Sequence, residues 1–279
     1  MRSSGDETGK CKRNINTQNQ KCTGDSSSGK GSIRVIGLGP GDDCLLAPQA
    51  RYAIENADAV VGYTGYVKLI SKTLLEGREV LSTGMMAEVE RCRKAVESAV
   101  SGRNVVMVCS GDPGIYAMAG LVMELLEKGK LFDEVKFEVI PGIPAFTAAA
   151  ALLGAPLMHD FASISLSDLL TPWEKIEKRL AAAADADFVI AIYNPRSKNR
   201  PENLGKAIAI VRKYRVDSTP VGIVNKAYRD GQKVQIATLE TMNEQDVDMQ
   251  TVLIIGNSST RISGEMMLTP RGYSNKYDI

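Results

Sequence analysis

The fold of this chain is constrained most by an alternation. From residue 33 to residue 257, short apolar runs rich in β-branched residues take turns with longer segments of helical period. Residues 33–38, 58–63, 104–110 and 136–141 read as strands, with a weaker one near 78–81. Between them Val89, Cys92, Val96, Ala99 and Val100 recur at helical spacing, and Leu121, Leu125 and Leu126 form a second apolar face. Strand, helix, strand in that order demands crossovers that cover both faces, which predicts an α/β protein with a parallel N-terminal sheet.

A second series follows the small-residue stretch 144–157, which reads as a helix ending near Gly154. Its strands fall at 187–194, 220–225, 233–239 and 251–257, and its helices near 172–184 and 201–214, the latter with Leu204, Ala207, Ile208 and Val211 on one side. The short link "AYRDGQ" between two of these strands looks like a hairpin, so the C-terminal sheet is expected to be mixed. The expected organisation is an N-terminal α/β domain over 32–150 and a C-terminal one over 151–265. Residues 1–31 are rich in Ser, Gly, Lys and Asn, too polar to repay the entropy of ordering, and read as a disordered tail. Residues 266–279 read as a C-terminal tail.

Charge and cysteines narrow the function classes. Lys and Arg number 34 against 33 Asp and Glu, so no overall basic field draws the chain to nucleic acid or to an anionic membrane. No apolar run approaches the roughly 18 residues that span a bilayer, and the first thirty residues hold no signal-peptide core. The five cysteines (Cys11, Cys22, Cys44, Cys92 and Cys109) are odd in number and include no CxxC pair. A reduced, cytoplasmic setting without a protein-bound metal is expected.

The stretch "IRVIGLGPGDD", residues 33–43, looks like a phosphate-binding turn but fails both tests. Gly37 and Gly39 stand where a dinucleotide fingerprint needs them, yet Asp42 takes the third glycine position. No Lys followed by Ser or Thr closes the turn as in a Walker loop, and Asp42 and Asp43 would repel phosphate. What remains is a turn whose glycines let backbone pass close to something, stiffened by Pro40. In "VCSGDPGIYAMAG", Asp112 and Pro113 suit an N-cap and a first helical residue. Ser110 and Gly111 also lie beyond a parallel strand's carboxyl end, where open α/β sheets bind ligands.

His159 is the only histidine, either a hydrogen-bonded structural residue or an acid/base group. With Asp160, Ser163, Ser165, Ser167 and Asp168 it can line a polar wall. Arg196, Lys198 and Arg200 leave the end of a strand, where such a run is either solvated surface or, with Arg229 and Arg261, a site for a polycarboxylate.

Taken in order, "VIGLGPGD", "VCSGDPGIYAMA", "VIPGIPAFTAAAALLGAPLMHDFASISLSDLLTPW", "AIYNPRSKNR", "VGIVNKAYRDGQ" and "TVLIIGNSSTR" resemble the tetrapyrrole methylases over residues 33–273. The resemblance implies a two-domain α/β fold, a homodimer, and S-adenosylmethionine held in a cleft between the domains. "GAPLMHDFASISLSDLLTPW" and "YNPRS" point to the ring-contracting branch, which implies methylation of precorrin-3B or cobalt-precorrin-3 at ring carbon 17. Another precorrin or uroporphyrinogen methylase is the alternative. By motif, the donor contacts fall on Pro40, Ser110, Gly111, Asp112, Ile115, Pro144, Ala145, Tyr193, Asn194 and Ala227, with Pro144 standing where many relatives carry Thr. The acidic arms of the ring give Arg196, Lys198, Arg200, Arg229 and Arg261 a role in substrate binding. Ring contraction needs proton movement, which the branch-specific stretch assigns to His159, Asp160 or Asp168.

Overall fold

The computed structural model describes residues 30–278, so nearly all of the N-terminal tail, with Cys11 and Cys22, lies outside the described residues. In chain order the elements are β1 (Ser32–Gly37), α1 (Pro48–Glu55), β2 (Ala59–Tyr63), α2 (Thr64–Val67), α3 (Lys72–Leu75), β3 (Glu79–Thr83), α4 (Glu88–Val100), β4 (Asn104–Cys109), α5 (Ala119–Gly129) and β5 (Lys136–Ile140). Then come α6 (Ala145–Leu153), β6 (Gly154–Ala155), β7 (Phe161–Ser165), α7 (Trp173–Asp185), β8 (Val189–Tyr193), α8 (Asn203–Val211), β9 (Pro220–Asn225), β10 (Lys233–Thr238), β11 (Thr251–Ile255), β12 (Arg261–Ser263) and β13 (Met266–Leu268).

The first sheet has the order β3-β2-β4-β1-β5 and is parallel throughout. Its central strands β2, β4 and β1 are largely apolar on both faces because both are covered, while the edge strands β3 and β5 carry charged, exposed residues. Ile33, Val35 and Met107 pack with Cys92, Ala95, Val122 and Leu126 of α4 and α5. Ile36, Val60 and Val106 pack with Ala50 and Ile54 of α1. The chain changes sheets between β5 and α6.

The second sheet, β10-β9-β11-β8-β7, is mixed: β9 pairs antiparallel with β10 and β11, β11 antiparallel with β8, and β8 parallel with β7. On one face Ile176, Leu180, Leu204 and Ile208 of α7 and α8 meet Ile190, Ile192, Ile223 and Leu253. On the other, Ala149 and Leu153 of α6 meet Val189, Val224, Val252 and Ile254. The small residues of α6 are therefore a packing face against this sheet.

Several short elements escaped the sequence pattern, among them α1, α2, α3, β6 and β12, and two of the others change the reading. Residues 161–165, read as a polar wall, form the edge strand β7, whose serines share a face with Phe161 and alternate with Ala162 and Ile164. Met266–Leu268, in the stretch read as a tail, form β13, which pairs with β12 and β6 and buries Met267 completely against α6. A three-residue strand is too short to display a period. Among the described residues no helix is long and apolar enough to cross a membrane.

Candidate active site

The glycine-rich turn after β1 lies against the loops that follow β4 and β5. Gly39 N–H donates to Gly111 O at 3.1 Å and Gly111 N–H donates back to Gly39 O at 2.7 Å, a two-bond bridge between loops. A Cβ on Gly37 would stand 2.7 Å from Gly142 Cα and collide with the Gly111 carbonyl. The backbone that the sequence expected to pass close is thus the neighbouring loop. Asp112 fastens this crossing, accepting from Gly114 N–H at 2.8 Å and from Gly142 N–H at 3.1 Å. It does not cap α5, which begins only at Ala119, because the intervening turn includes Tyr116 with φ of 51°.

Facing these loops are the ends of β8, β9 and β11. Their backbone turns on non-glycine residues: Asn194, Lys226 and Tyr228 have φ of 49°, 50° and 55°. Left-handed conformations at such residues cost of order 1–3 kcal/mol and persist where surrounding bonds impose them. The bonds are present. Asn194 Nδ2 donates to Ser165 Oγ at 2.9 Å, Lys226 N–H to Gln250 O at 3.1 Å, and Tyr228 N–H to Gln232 Oε1 at 2.7 Å. Tyr193 Oη accepts from Phe146 N–H at 3.1 Å, and burial pushes the phenol up to about 12, so it stays protonated. The Tyr116 ring lies 5.0 Å from that of Tyr193, and its hydroxyl donates to Ser163 O at 2.9 Å.

Between the two walls is a cavity of about 380 Å³, within the range of small-molecule sites. Of the residues predicted for a donor, Pro40, Ser110, Gly111 and Ile115 line it from the first sheet. Ala145, Tyr193, Asn194 and Ala227 line it from the other side. Asp112 stands behind, at the loop crossing, and Pro144 precedes the first turn of α6.

The predicted cations divide. Arg229 lines the cavity. Arg196 is outside that lining and donates to Glu244 O at 2.8 Å and Gln245 Oε1 at 3.1 Å. Arg200 donates to Ser197 Oγ at 3.3 Å and lies 3.9 Å from Asp168. Lys198 and Arg261 are exposed on the surface. His159 and Asp160 are exposed just before β7, with His159 Nδ1 accepting from Asp160 N–H at 2.9 Å. None of His159, Asp160 and Asp168 is part of the cavity lining.

Sequence reasoning missed Tyr63, Tyr66, Arg91 and Lys226, all of which line the cavity. Arg91 is 4% exposed, with Nη1 donating to Thr83 Oγ1 at 2.6 Å and Gly84 O at 3.2 Å, and Nη2 3.6 Å from Glu88. A signal for it existed: Arg91 shares the buried face of α4 with Ala95 and Ala99, so a full charge occupies a position whose spacing belongs to the core.

Comparison with known proteins agrees with this geometry. A family model described as tetrapyrrole (corrin/porphyrin) methylases matches residues 32–243. A cobalt-factor III methyltransferase from Priestia megaterium is 50% identical over 252 residues, 90% of this chain and 46% of that protein. The chain thus spans about half the length of that relative. A protein of Salmonella typhimurium named a probable cobalt-factor III C(17)-methyltransferase is 48% identical over 242 residues, 87% of this chain and 99% of its own. Among solved structures, that of the methyltransferase CobJ superposes with a TM-score of 0.82 at 39% identity, covering 86% of this chain and all of the other.

Proposed function

The chain belongs to the tetrapyrrole (corrin/porphyrin) methylases, and we propose that it transfers a methyl group from S-adenosylmethionine to carbon 17 of a cobalt-containing precorrin-3-type ring, with contraction of the macrocycle. Metal-free precorrin-3B is the second substrate to try. The observation that carries this reading is the cavity between the sheets, whose two walls are built from the same segments that carry the family motifs. The residues there fit the donor. Gly111, Ala145 and Ala227 leave flat space, Tyr63 and Tyr193 supply aromatic walls, and the left-handed turn at Asn194 exposes backbone polar groups. When bound, S-adenosylmethionine supplies a methyl group already activated by its sulfonium centre.

The protein's own contribution is therefore alignment and exclusion of water. Ser110, Gly111, Ala145 and Asn194 would hold the donor, while the Asp112 bonds keep the glycine loops at fixed spacing. A macrocycle is larger than a 380 Å³ cavity, so it would lie across the mouth. Arg91 and Lys226 in the wall, and Arg196, Lys198 and Arg200 beyond it, would meet the carboxylate arms; Arg261 follows the end of β11 that pairs with the starts of β8 and β9, the opposite end of the sheet from the cavity, and has no place in that set. His159, Asp160 or Asp168 would assist proton movement at the ring. We place the enzyme in the cytoplasm as a homodimer, a reading supported by the family likeness and by the free, buried thiols of Cys92 and Cys109.

The test is anaerobic incubation of the purified protein with S-adenosylmethionine and cobalt-precorrin-3, followed by mass spectrometry and absorbance. Gain of one methyl mass with a changed macrocycle spectrum is expected. No change with either the cobalt ring or precorrin-3B would move the protein to another branch of the family. Unaltered product formation by His159→Ala and Asp168→Ala would remove those residues from the mechanism.

A further inference from the structure

Arg229 belongs to the loop between β9 and β10, which is held by Arg229 N–H donating to Lys226 O and Gln232 N–H donating to Arg229 O, each at 3.0 Å. Its guanidinium crosses to the opposite wall. Nε donates to the Pro40 carbonyl and Nη2 donates to Ser110 Oγ at 2.5 Å. A slot in that wall admits it: a Cβ on Gly41, whose φ is 124°, would lie 2.9 Å from Arg229 Nε and 3.4 Å from its Cγ. One side chain of the second sheet's loops therefore grips the two loops of the first sheet that supply Pro40 and Ser110.

Both acceptors are neutral, and none of the ion pairs among the described residues includes Arg229. Burial pulls its guanidinium below the ordinary arginine range. An arginine placed only for charge would gain more beside a carboxylate. Here the planar fork is used for its shape, with two donors at fixed spacing for two acceptors on different loops.

We propose that Arg229 is a positioning residue for the methyl donor: by bridging Pro40 and Ser110 it sets the spacing of the two cavity walls, and donor affinity depends on it through those two residues. This rests on the donor reading given above and replaces direct contact with a ring carboxylate as the role of Arg229.

The experiment measures S-adenosylhomocysteine affinity by calorimetry for the wild type, Arg229→Met, Arg229→Lys, Ser110→Ala and the Arg229→Met/Ser110→Ala double variant. Amide hydrogen exchange of the ligand-free proteins accompanies it. Arg229→Met should weaken binding at least tenfold, and Arg229→Lys, which keeps charge but not the fork, at least threefold. The loss caused by Arg229→Met should shrink at least threefold when Ser110 is already Ala. Exchange should rise in 38–41 and 110–112 of the unliganded Arg229→Met protein and stay unchanged in α7 and α8. If Arg229→Met does not fold, the Arg229→Lys pair with Ser110→Ala carries the same comparison. Strictly multiplicative losses, or an affinity within twofold of wild type with a raised KM for the tetrapyrrole alone, would overturn the proposal. Absence of binding by the wild type would instead refute the donor reading, a result that the exchange data on unliganded protein would not produce.

Discussion

The two walls of the cavity reach the same end by opposite means. On the first sheet's side, close approach is made by leaving side chains out: Gly37, Gly111 and Gly142 meet backbone to backbone. On the second sheet's side, Asn194, Lys226 and Tyr228 keep their side chains and hold left-handed backbone with specific hydrogen bonds. At Gly37 and Gly142 the first wall is fixed by sterics and leaves no room for a Cβ, while Gly111 is held to glycine by its φ of 69°. The second is fixed by bonds, each worth about 1 kcal/mol and each replaceable at that cost.

The contrast can be broken at its stiffest point first. Gly37→Val and Gly142→Ala put atoms into backbone that cannot retreat, so each should destabilise by more than about 3 kcal/mol in urea unfolding. Gly84→Ala, with open space around the new methyl, should fall within about 0.5 kcal/mol of wild type. Equal losses at all three positions would remove the steric account.

Alkaline pH probes the core behind the first wall. Burial raises Cys92 from its ordinary 9.0 to about 12, and burial likewise raises Cys109 to about 11. Groups with raised folded-state values contribute stability that is complete below pH 9 and lost as pH climbs through 11 and 12. The Cys109 part is on the order of 2–3 kcal/mol. Melting curves between pH 8 and 11.5 should show the decline, and Cys109→Ala should flatten it; an unchanged slope in that variant would contradict the assignment.

Smaller effects sharpen the second wall. Tyr193→Phe leaves Phe146 N–H without its acceptor and should cost about 1 kcal/mol of stability while keeping the aromatic contact with Tyr116. Asn194→Gly relaxes the backbone but gives up the bond to Ser165, and the opposing terms should leave stability within about 0.5 kcal/mol. A loss as large as that of Gly37→Val would mean that the second wall, too, is set by packing.

Much of this was legible in the sequence. Alternation of strands and helical spacing identified both sheets, and "AYRDGQ" foretold the β9–β10 hairpin of the second, which β11, antiparallel to β8 and β9, also makes mixed. The motif segments brought eight predicted donor contacts to one cavity. What escaped has physical reasons. β13 and β6 owe their existence to pairing with each other, over only two or three residues each, and leave no periodic trace. Asp112 looks like a helix cap because capping and loop fastening use the same short carboxylate acceptor, and only the distant Gly142 N–H decides between them. Arg229 was legible as a cation, but its neutral partners Pro40 and Ser110 lie 189 and 119 residues away. Tertiary contacts of that span have no local signature.

The most direct test of the account is to run the reaction with S-adenosylmethionine labelled with ¹³C in the methyl group and to locate the label in the tetrapyrrole product by NMR. The account predicts one new methyl on ring carbon 17 of a contracted macrocycle. Label at any other ring carbon, or on an uncontracted ring, would contradict it.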